Sequence, residues 1–256
     1  MNPAMWISKT GVQAQDAKLQ AIANNLANVN TVGFKRDRVV FEDLFYQVEQ
    51  QPGTQRADNT LSPSGVQLGN GTHMVGTQKV FTTGSLQTTS REFDVAITGN
   101  GFLQVLRPNG EAYTRAGAME LDETGALTLN GRPVLGEGGP ITLPEHTSLS
   151  IGSDGTISIQ VPGAAQMQTV DKLKLVNAET GELTKNEAGL VVARSGADLE
   201  ADPTVRIRDR HIEGSNVSAV EEMVATMSLN RSFEMQMKVF KASDSMTESG
   251  NRLLGA

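Results

Sequence analysis

The 256-residue chain has no cysteine and only three histidines, and each shortage excludes a class of site. Without cysteine it can form neither a disulfide framework nor a thiolate nucleophile. His73, His146 and His211 lie far apart, and none has a second histidine at the short spacing that metal motifs require. The sequence therefore predicts no catalytic residues, no metal site, no cofactor and no enzyme.

Basic residues and long apolar runs are also scarce. The 22 Lys and Arg residues face 29 Asp and Glu, which makes the formal net charge −7. Nucleic-acid binding draws much of its affinity from phosphate neutralisation by Lys and Arg, so no nucleic acid is expected as a partner. A transmembrane helix needs about 20 mostly apolar residues, so no transmembrane segment is expected. Residues 1–9 lack the pattern of a cleavable signal peptide, so if the chain leaves the cytoplasm we expect a route that leaves its N-terminus uncut.

The apolar residues that are present mark a helix at each end of the chain. Residues 3–28 carry one apolar stripe, formed by Met5, Val12, Leu19, Ile22 and Leu26. At the other end, Ser218 and Glu221 fit a capping box that starts a second helix. Its apolar row comprises Val217, Val220, Val224 and Met227 and continues through Leu229, Phe233, Met237 and Phe240.

The middle of the chain predicts an antiparallel β-domain. Short β-prone segments such as 93–98, 102–106 and 156–161 alternate with the tight-turn pairs Asn109-Gly110 and Asn130-Gly131. Closer to the N-terminus, Phe41, Leu44, Phe45 and Val48 follow the spacing of one helical face, which predicts a short additional helix.

These patterns divide the chain into four regions. We expect an N-terminal helical domain (1–45), an extended loop rich in Pro, Gly, Ser, Thr, Asn and Gln (46–76), a β-rich globular domain (77–210) and a C-terminal helical domain (211–256). The predicted fold is mainly β with terminal α-helices, which pair as a coiled-coil-like element beside the antiparallel β-domain. The residues alone favour two uses of the helices equally: packing on the β-domain of a monomer, or packing among several copies in a bundle or tube.

Three motifs resemble the bacterial flagellar basal-body rod protein family. Residues 23–35 (ANNLANVNTVGFK) are similar to its N-terminal signature, 94–102 with Tyr113-Thr114-Arg115 to its β-domain, and 214–223 to its C-terminal signature. Within the family, the N-terminal part of the chain, up to and including residues 41–53, resembles distal-rod members. Residues 131–141 and 231–238 resemble proximal-rod members.

The resemblance implies a structural subunit of the flagellar rod, the drive shaft, that self-assembles through its terminal helices and transmits torque. It favours a proximal-rod subunit, with a distal-rod subunit as the alternative. The implied location is the basal body, in the rod that spans the periplasm.

The implied partners are copies of the chain, other rod proteins, hook or surrounding ring proteins, and the flagellar export apparatus. The predicted assembly residues lie in the terminal signatures and helices: Asn24, Asn25, Leu26, Asn28, Gly33, Phe34, Asn216, Val217, Val220, Glu221, Met223, Phe233 and Met237. Two rival classes remain: a secreted β-domain binding module, and a cell-wall hydrolase, which would need a paired-carboxylate site. The binding module is disfavoured because the single tryptophan, Trp6, lies in the N-terminal helix rather than on a β-domain platform.

Overall fold

The computed structural model describes residues 3–50, 65–163, 166–178, 181–185, 190–194, 196 and 198–254. A helix lies near each end, α1 (Pro3–Ala27) and α2 (Ala219–Leu254). Both predicted terminal helices are confirmed, and α2 begins immediately after Ser218, as the capping pattern predicts.

Strands occupy much of the chain between the helices. In chain order they are β1 (Asp37–Asp43), β2 (Gln47–Gln50), β3 (Val66–Leu68), β4 (Thr72–Lys79), β5 (Leu86–Thr88), β6 (Val95–Thr98), β7 (Phe102–Arg107), β8 (Gly110–Thr114), β9 (Glu120–Leu121), β10 (Leu127–Leu129), β11 (Arg132–Pro133), β12 (Leu135–Gly136), β13 (Gly139–Pro140), β14 (Ser148–Ile151), β15 (Thr156–Gln160), β16 (Gln168–Lys172), β17 (Leu175–Val176), β18 (Leu183–Lys185), β19 (Val191–Ala193), β20 (Arg206–Asp209) and β21 (His211–Glu213). The mainly β class with terminal helices is confirmed.

The chain forms two compact units that interleave in sequence. The first unit comprises residues 1–25, 37–78 and 219–256, and the second comprises residues 26–36 and 79–218. The helices, apart from the last residues of α1, belong to the first unit, whereas most of the strands belong to the second.

In the first unit, β1 pairs with β4, and β2 pairs antiparallel with β3. The helix predicted from Phe41, Leu44, Phe45 and Val48 is therefore wrong, because these residues lie in β1, in β2 and in the turn between them. Their hydrogen-bonding partners come from residues 66–79, and such non-local pairing overrides a local helical spacing. The expected loop 46–76 contains β2, β3 and most of β4, while its residues 51–64 lie outside the described residues.

The two helices touch where α1 has a glycine. A Cβ added to Gly11 would lie 2.8 Å from the Gln236 side-chain nitrogen, so the absence of a side chain allows α2 to approach. A coiled-coil-like pairing along the helices is not confirmed.

The second unit is built from small antiparallel sheets. A five-stranded sheet has the order β17-β7-β8-β19-β18, and β14, β15 and β16 form a three-stranded sheet. The predicted antiparallel β-domain is thus confirmed. The Asn130-Gly131 turn is confirmed as well: these residues have φ angles of 52° and 74° and connect β10 to β11, as a type I′ hairpin turn requires.

The second unit contains two hydrophobic clusters. The large cluster packs side chains from β6, β7, β10, β14 and β15, including Val95, Leu103, Leu127, Leu149 and Ile157. A smaller cluster consists of Phe102, Tyr113, Val176, Leu183 and Val191. Together they give this unit a core of its own.

Candidate functional site

The predicted assembly residues fall into two groups. One group lies at the end of α1 and in the segments beside it, and the other lies along α2. The segments that hold residues 33–36 and 213–217 belong to the second unit.

Glu213 is the centre of a buried ion cluster in the second unit. Its side chain is fully buried, and its Oε1 accepts hydrogen bonds from Lys35 Nζ at 2.6 Å and from the Gly84 backbone N–H at 2.8 Å. Arg115 Nη1 lies 3.5 Å from Glu213 Oε2. Two buried cations therefore share a single carboxylate as their counter-charge.

Both cations also donate to backbone carbonyls. Lys35 Nζ donates to Thr82 O at 2.7 Å, while Arg115 donates from Nε to Gly101 O at 2.9 Å and from Nη2 to Gly99 O. Burial lowers the pKa of Lys35 from its ordinary value, and the hydrogen bond and charge of Glu213 oppose that shift. Burial likewise lowers the pKa of Arg115. The cluster ties three separated segments of the chain together.

Gly33 and Phe34 lie beside this cluster. Gly33 has a φ of 68° and donates its N–H to Glu213 O at 2.7 Å, and an added Cβ would lie 2.3 Å from Ala116 N. Phe34 is buried, with Lys79 Nζ 4.7 Å from the centre of its ring. Gly33 and Phe34, both predicted as assembly residues, are thus held by contacts within the second unit.

Asn216 uses both ends of its amide side chain. Its Oδ1 accepts from Arg36 N at 2.7 Å, and its Nδ2 donates to Val80 O at 2.7 Å and to Thr82 Oγ1 at 2.9 Å. Val217, the next residue, is buried. Together they hold the residues just before α2 against the segment that follows α1.

The asparagines at the end of α1 differ in exposure. Asn25 is buried and exchanges two hydrogen bonds with the backbone of Asp37: its Nδ2 donates to Asp37 O at 3.0 Å, and its Oδ1 accepts from Asp37 N at 2.8 Å. Asn24 is exposed, whereas Leu26 and Asn28 are half-buried. Asn25 therefore fixes the connection between α1 and β1.

The predicted residues on α2 form an exposed surface. Val220, Met223, Val224 and Met227 are each more than half exposed, and we call these four residues the α2 apolar stripe. Glu221 is also exposed, and Phe233 and Met237 are 43% and 36% exposed. Glu222 and Leu229, on the opposite side of the helix, are buried instead. α2 therefore buries a face that carries both polar and apolar residues, and it exposes an apolar face.

Sequence reasoning missed part of this arrangement. Lys35 and Arg115 lie in the motifs that resemble the rod family, but neither was predicted as an assembly residue. No sequence signal marked Glu213. A single charged residue at the end of a short strand gives no sign of burial, because burial depends on what the fold packs around it.

Two further observations bear on function. Within the described residues, no three His, Asp or Glu side chains lie together as a metal ion would require. Among the described residues, no helix combines the length and the apolar character that crossing a membrane requires.

Family models match three parts of the chain. Residues 6–35 match the "Flagella basal body rod protein" model, residues 96–159 match the "Flagellar hook protein FlgE/F/G D1 domain" model, and residues 208–253 match the "Flagellar basal body rod FlgEFG protein C-terminal" model. The matches follow the order of the three motifs in the sequence.

Curated proteins of two kinds are similar over almost the full chain. The flagellar basal-body rod protein FlgG of Buchnera aphidicola subsp. Schizaphis graminum is 39% identical over 99% of this chain and 100% of its own length. FlgG of Borreliella burgdorferi is 36% identical over 99% of both chains. FlgF of Salmonella typhimurium, also a flagellar basal-body rod protein, is 40% identical over 95% of both chains.

Proposed function

Because this chain belongs to the family of flagellar basal-body rod proteins, we propose that it joins the rod through its terminal helices and occupies the proximal part of that rod. As a member of the family it is a structural subunit of the flagellum and its basal body, and the family is not an enzyme family. It works together with other flagellar components.

The observation that carries assembly through the helices is the exposure of the α2 apolar stripe. Val220 is 72% exposed and Val224 is 57% exposed, although both are apolar and lie on one side of α2. Burying apolar surface is favourable by about 25 cal/mol per Å², so a subunit gains when this face packs against another chain. We infer that sister subunits, with their own helices, cover the stripe.

The proximal position is supported by residues 131–141 and 231–238, which resemble proximal-rod members. A distal position is the second candidate, and it has a specific observation in its favour. Three FlgG relatives from Buchnera align with this chain over 98–100% of their own length, and β2 lies within residues 41–53, which resemble distal-rod members.

The partners we propose are copies of this chain, other rod proteins, and hook or surrounding ring proteins. We also propose that the chain reaches the rod, which spans the periplasm, through the flagellar export apparatus. Family membership supports these partners, since a rod subunit must pass from the cell interior into a shared shaft.

The test is to locate an epitope-labelled chain in isolated basal bodies by electron microscopy. We expect label along the rod, concentrated toward its proximal end. Label only beneath the hook would reject the proximal position and favour the distal one. Basal bodies that contain no labelled chain, from cells in which the chain is expressed and exported, would reject the rod assignment itself.

A further inference from the structure

Half of the ten methionines in the chain lie in α2. They are Met223, Met227, Met235, Met237 and Met246, and all five are exposed. Two of them, Met223 at 51% and Met227 at 56% exposure, belong to the α2 apolar stripe. The surface that we propose sister subunits to cover therefore consists of two valines and two methionines.

The side chains of Met223 and Met227 are neighbours on the helix. They are four positions apart, and residues at this spacing lie on one face. Val220 and Val224, the other members of the stripe, are also more than half exposed. Small reagents in water therefore reach both methionine side chains in the free subunit.

Thioethers are the sulfur groups of this protein that an oxidant can attack. The chain has no cysteine, so no thiol of its own competes for a peroxide. Oxidation converts methionine from a flexible apolar side chain into a polar sulfoxide and disrupts interfaces that depend on methionine. Leucine would offer a similar apolar volume without this sensitivity. The apolar character of the stripe thus depends on the oxidation state of two sulfur atoms.

We propose that Met223 and Met227 form an oxidation site that controls assembly. Hydrogen peroxide converts their thioethers to sulfoxides, and the oxidised subunit no longer packs through the α2 apolar stripe. In each reaction a sulfur lone pair attacks one peroxide oxygen, the S–O bond forms and the O–O bond breaks. The departing hydroxide takes the proton from the sulfur-bound oxygen and leaves as water. The sulfur is oxidised and the peroxide is reduced.

The modification is reversible and acts on the stripe itself. A methionine sulfoxide reductase, which draws its electrons from thiols, returns the sulfoxide to the thioether. A polar group that is buried without a hydrogen-bonding partner weakens packing, by about tenfold in the association constant. This inference rests on the proposed function, because only a stripe that packs against another chain is affected when it becomes polar.

Peptide mass mapping of the purified full-length chain tests the reactivity of the site. The dilute chain is treated with hydrogen peroxide, and the gain of one oxygen atom is followed at each methionine. We expect Met223 and Met227 to react as fast as Met167, which is 55% exposed and lies in the second unit. Met119, which is fully buried, should stay reduced. If Met223 and Met227 stay reduced while Met167 reacts, the inference is wrong.

Substitutions test what a polar group at the site does to assembly. Glutamine replaces the sulfoxide by a polar side chain of similar length that no peroxide alters. In cells where the variant is the only copy of the chain, Met223→Gln/Met227→Gln should lower incorporation into basal bodies about tenfold. The Met223→Leu/Met227→Leu chain should be incorporated normally. So should Met167→Gln, the control at matched exposure. Thermal unfolding of the purified variants, followed by circular dichroism, should match that of the wild type.

A competition between two chains tests oxidation and assembly together. One strain makes the wild-type chain and the Met223→Leu/Met227→Leu chain with different epitope labels, and it receives a sublethal pulse of hydrogen peroxide while rods form. Both chains share the same cells, so damage to other proteins affects them equally. We expect the ratio in new basal bodies to shift toward the leucine variant.

The result expected from each experiment differs from failure of the rod assignment. Normal incorporation of the Met223→Gln/Met227→Gln chain, or an unchanged ratio after the peroxide pulse, would overturn the oxidation site and leave the rod assignment standing. A wild-type chain that is absent from the basal bodies of untreated cells would reject the proposed function, and the control of assembly with it.

Discussion

At the scale of single residues, Glu213 connects segments that are remote in sequence. It holds Lys35, which follows α1, and Arg115, which follows β8, and it also accepts the N–H of Gly84. A buried ion pair is costly to break from one side, because the remaining charge loses its compensation without returning to water. The attachment of residues 33–36 therefore depends on the carboxylate of Glu213.

We expect Glu213→Gln to destabilise the second unit by about 3–5 kcal/mol, since Lys35 and Arg115 would remain buried without their counter-charge. Urea unfolding followed by circular dichroism measures the change. Glu182→Gln, which removes an exposed carboxylate from the same unit, is the control and should alter the unfolding free energy by less than about 0.5 kcal/mol. Equal effects of the two substitutions would contradict the role given to the ion cluster.

Two features of the backbone at position 33 require a glycine. Its φ of 68° favours glycine, and the backbone of Ala116 occupies the space that a side chain would need. A comparison with Gly131 separates these features, because Gly131 has a φ of 74° but nothing within 4 Å of an added Cβ.

Gly33→Ala should therefore lower the unfolding free energy more than Gly131→Ala does. Both alanines bear the cost of a left-handed backbone, about 1–2 kcal/mol, and only the first adds a backbone clash of about 1–3 kcal/mol. The measurement is denaturant unfolding of both variants beside the wild type. Similar losses in both would show that the approach of Ala116 has no energetic consequence.

At the scale of secondary-structure elements, α2 has its apolar stripe exposed. Its buried positions include Glu222 and Leu229, while Val220, Met223, Val224 and Met227 remain more than half exposed. A helix that only completed a monomer would turn its apolar face inward. The orientation of α2 thus supports the proposal that another chain covers the stripe.

Val220→Asp should block assembly without unfolding the subunit. Val220 is 72% exposed and lies in the first turn of α2, where a carboxylate interacts favourably with the helix N-terminus. The expected result is an unfolding free energy within about 0.5 kcal/mol of the wild type together with loss of the chain from rods and loss of swimming.

The control for this substitution is Asn230→Asp, which adds the same charge at an exposed position of α2 without removing an apolar side chain. It should enter rods and support swimming. Normal motility with Val220→Asp, or equal loss with both variants, would contradict the role of the stripe.

At the scale of the whole molecule, the two compact units differ in what holds them together. Both hydrophobic clusters lie in the second unit, whereas the first unit presents many exposed apolar side chains, among them Trp6, Phe45, Val220 and Met227. Apolar burial is the main favourable contribution to folding, so the second unit has the means to fold independently.

A fragment of residues 26–218 should therefore keep a cooperative unfolding transition and show a β-type circular dichroism spectrum without the helical signal of α1 and α2. It retains both hydrophobic clusters and the Lys35–Glu213 ion pair, but it lacks α2 and most of α1. We also expect it to remain monomeric by analytical ultracentrifugation. A fragment that unfolds without cooperativity would show that the helices are needed for the fold of the β-domain.

The sequence predicted elements well wherever the signal was local. The stripe on α1, the box at Ser218 and Glu221, and the Asn130-Gly131 turn each depend on residues a few positions apart, and the structure has α1, the start of α2 and the β10–β11 turn at these places. The prediction at Phe41 to Val48 was wrong because pairing with strands far along the chain, β3 and β4, overrides the local helical spacing of these residues. The candidate site was predicted as residues of the terminal motifs and helices, and the contacts that their individual side chains make did not follow from the sequence.

The sequence by itself determined the mainly β class with a helix at each end, and its three motifs identified the family, because periodicity, turn chemistry and motif order are all properties of neighbouring residues. The tertiary structure alone decided that Glu213 is buried between Lys35 and Arg115, that Asn25 holds Asp37, and that the apolar stripe of α2 is exposed. Burial and ion pairing depend on which distant segments the fold places around a side chain, and no local pattern records that placement.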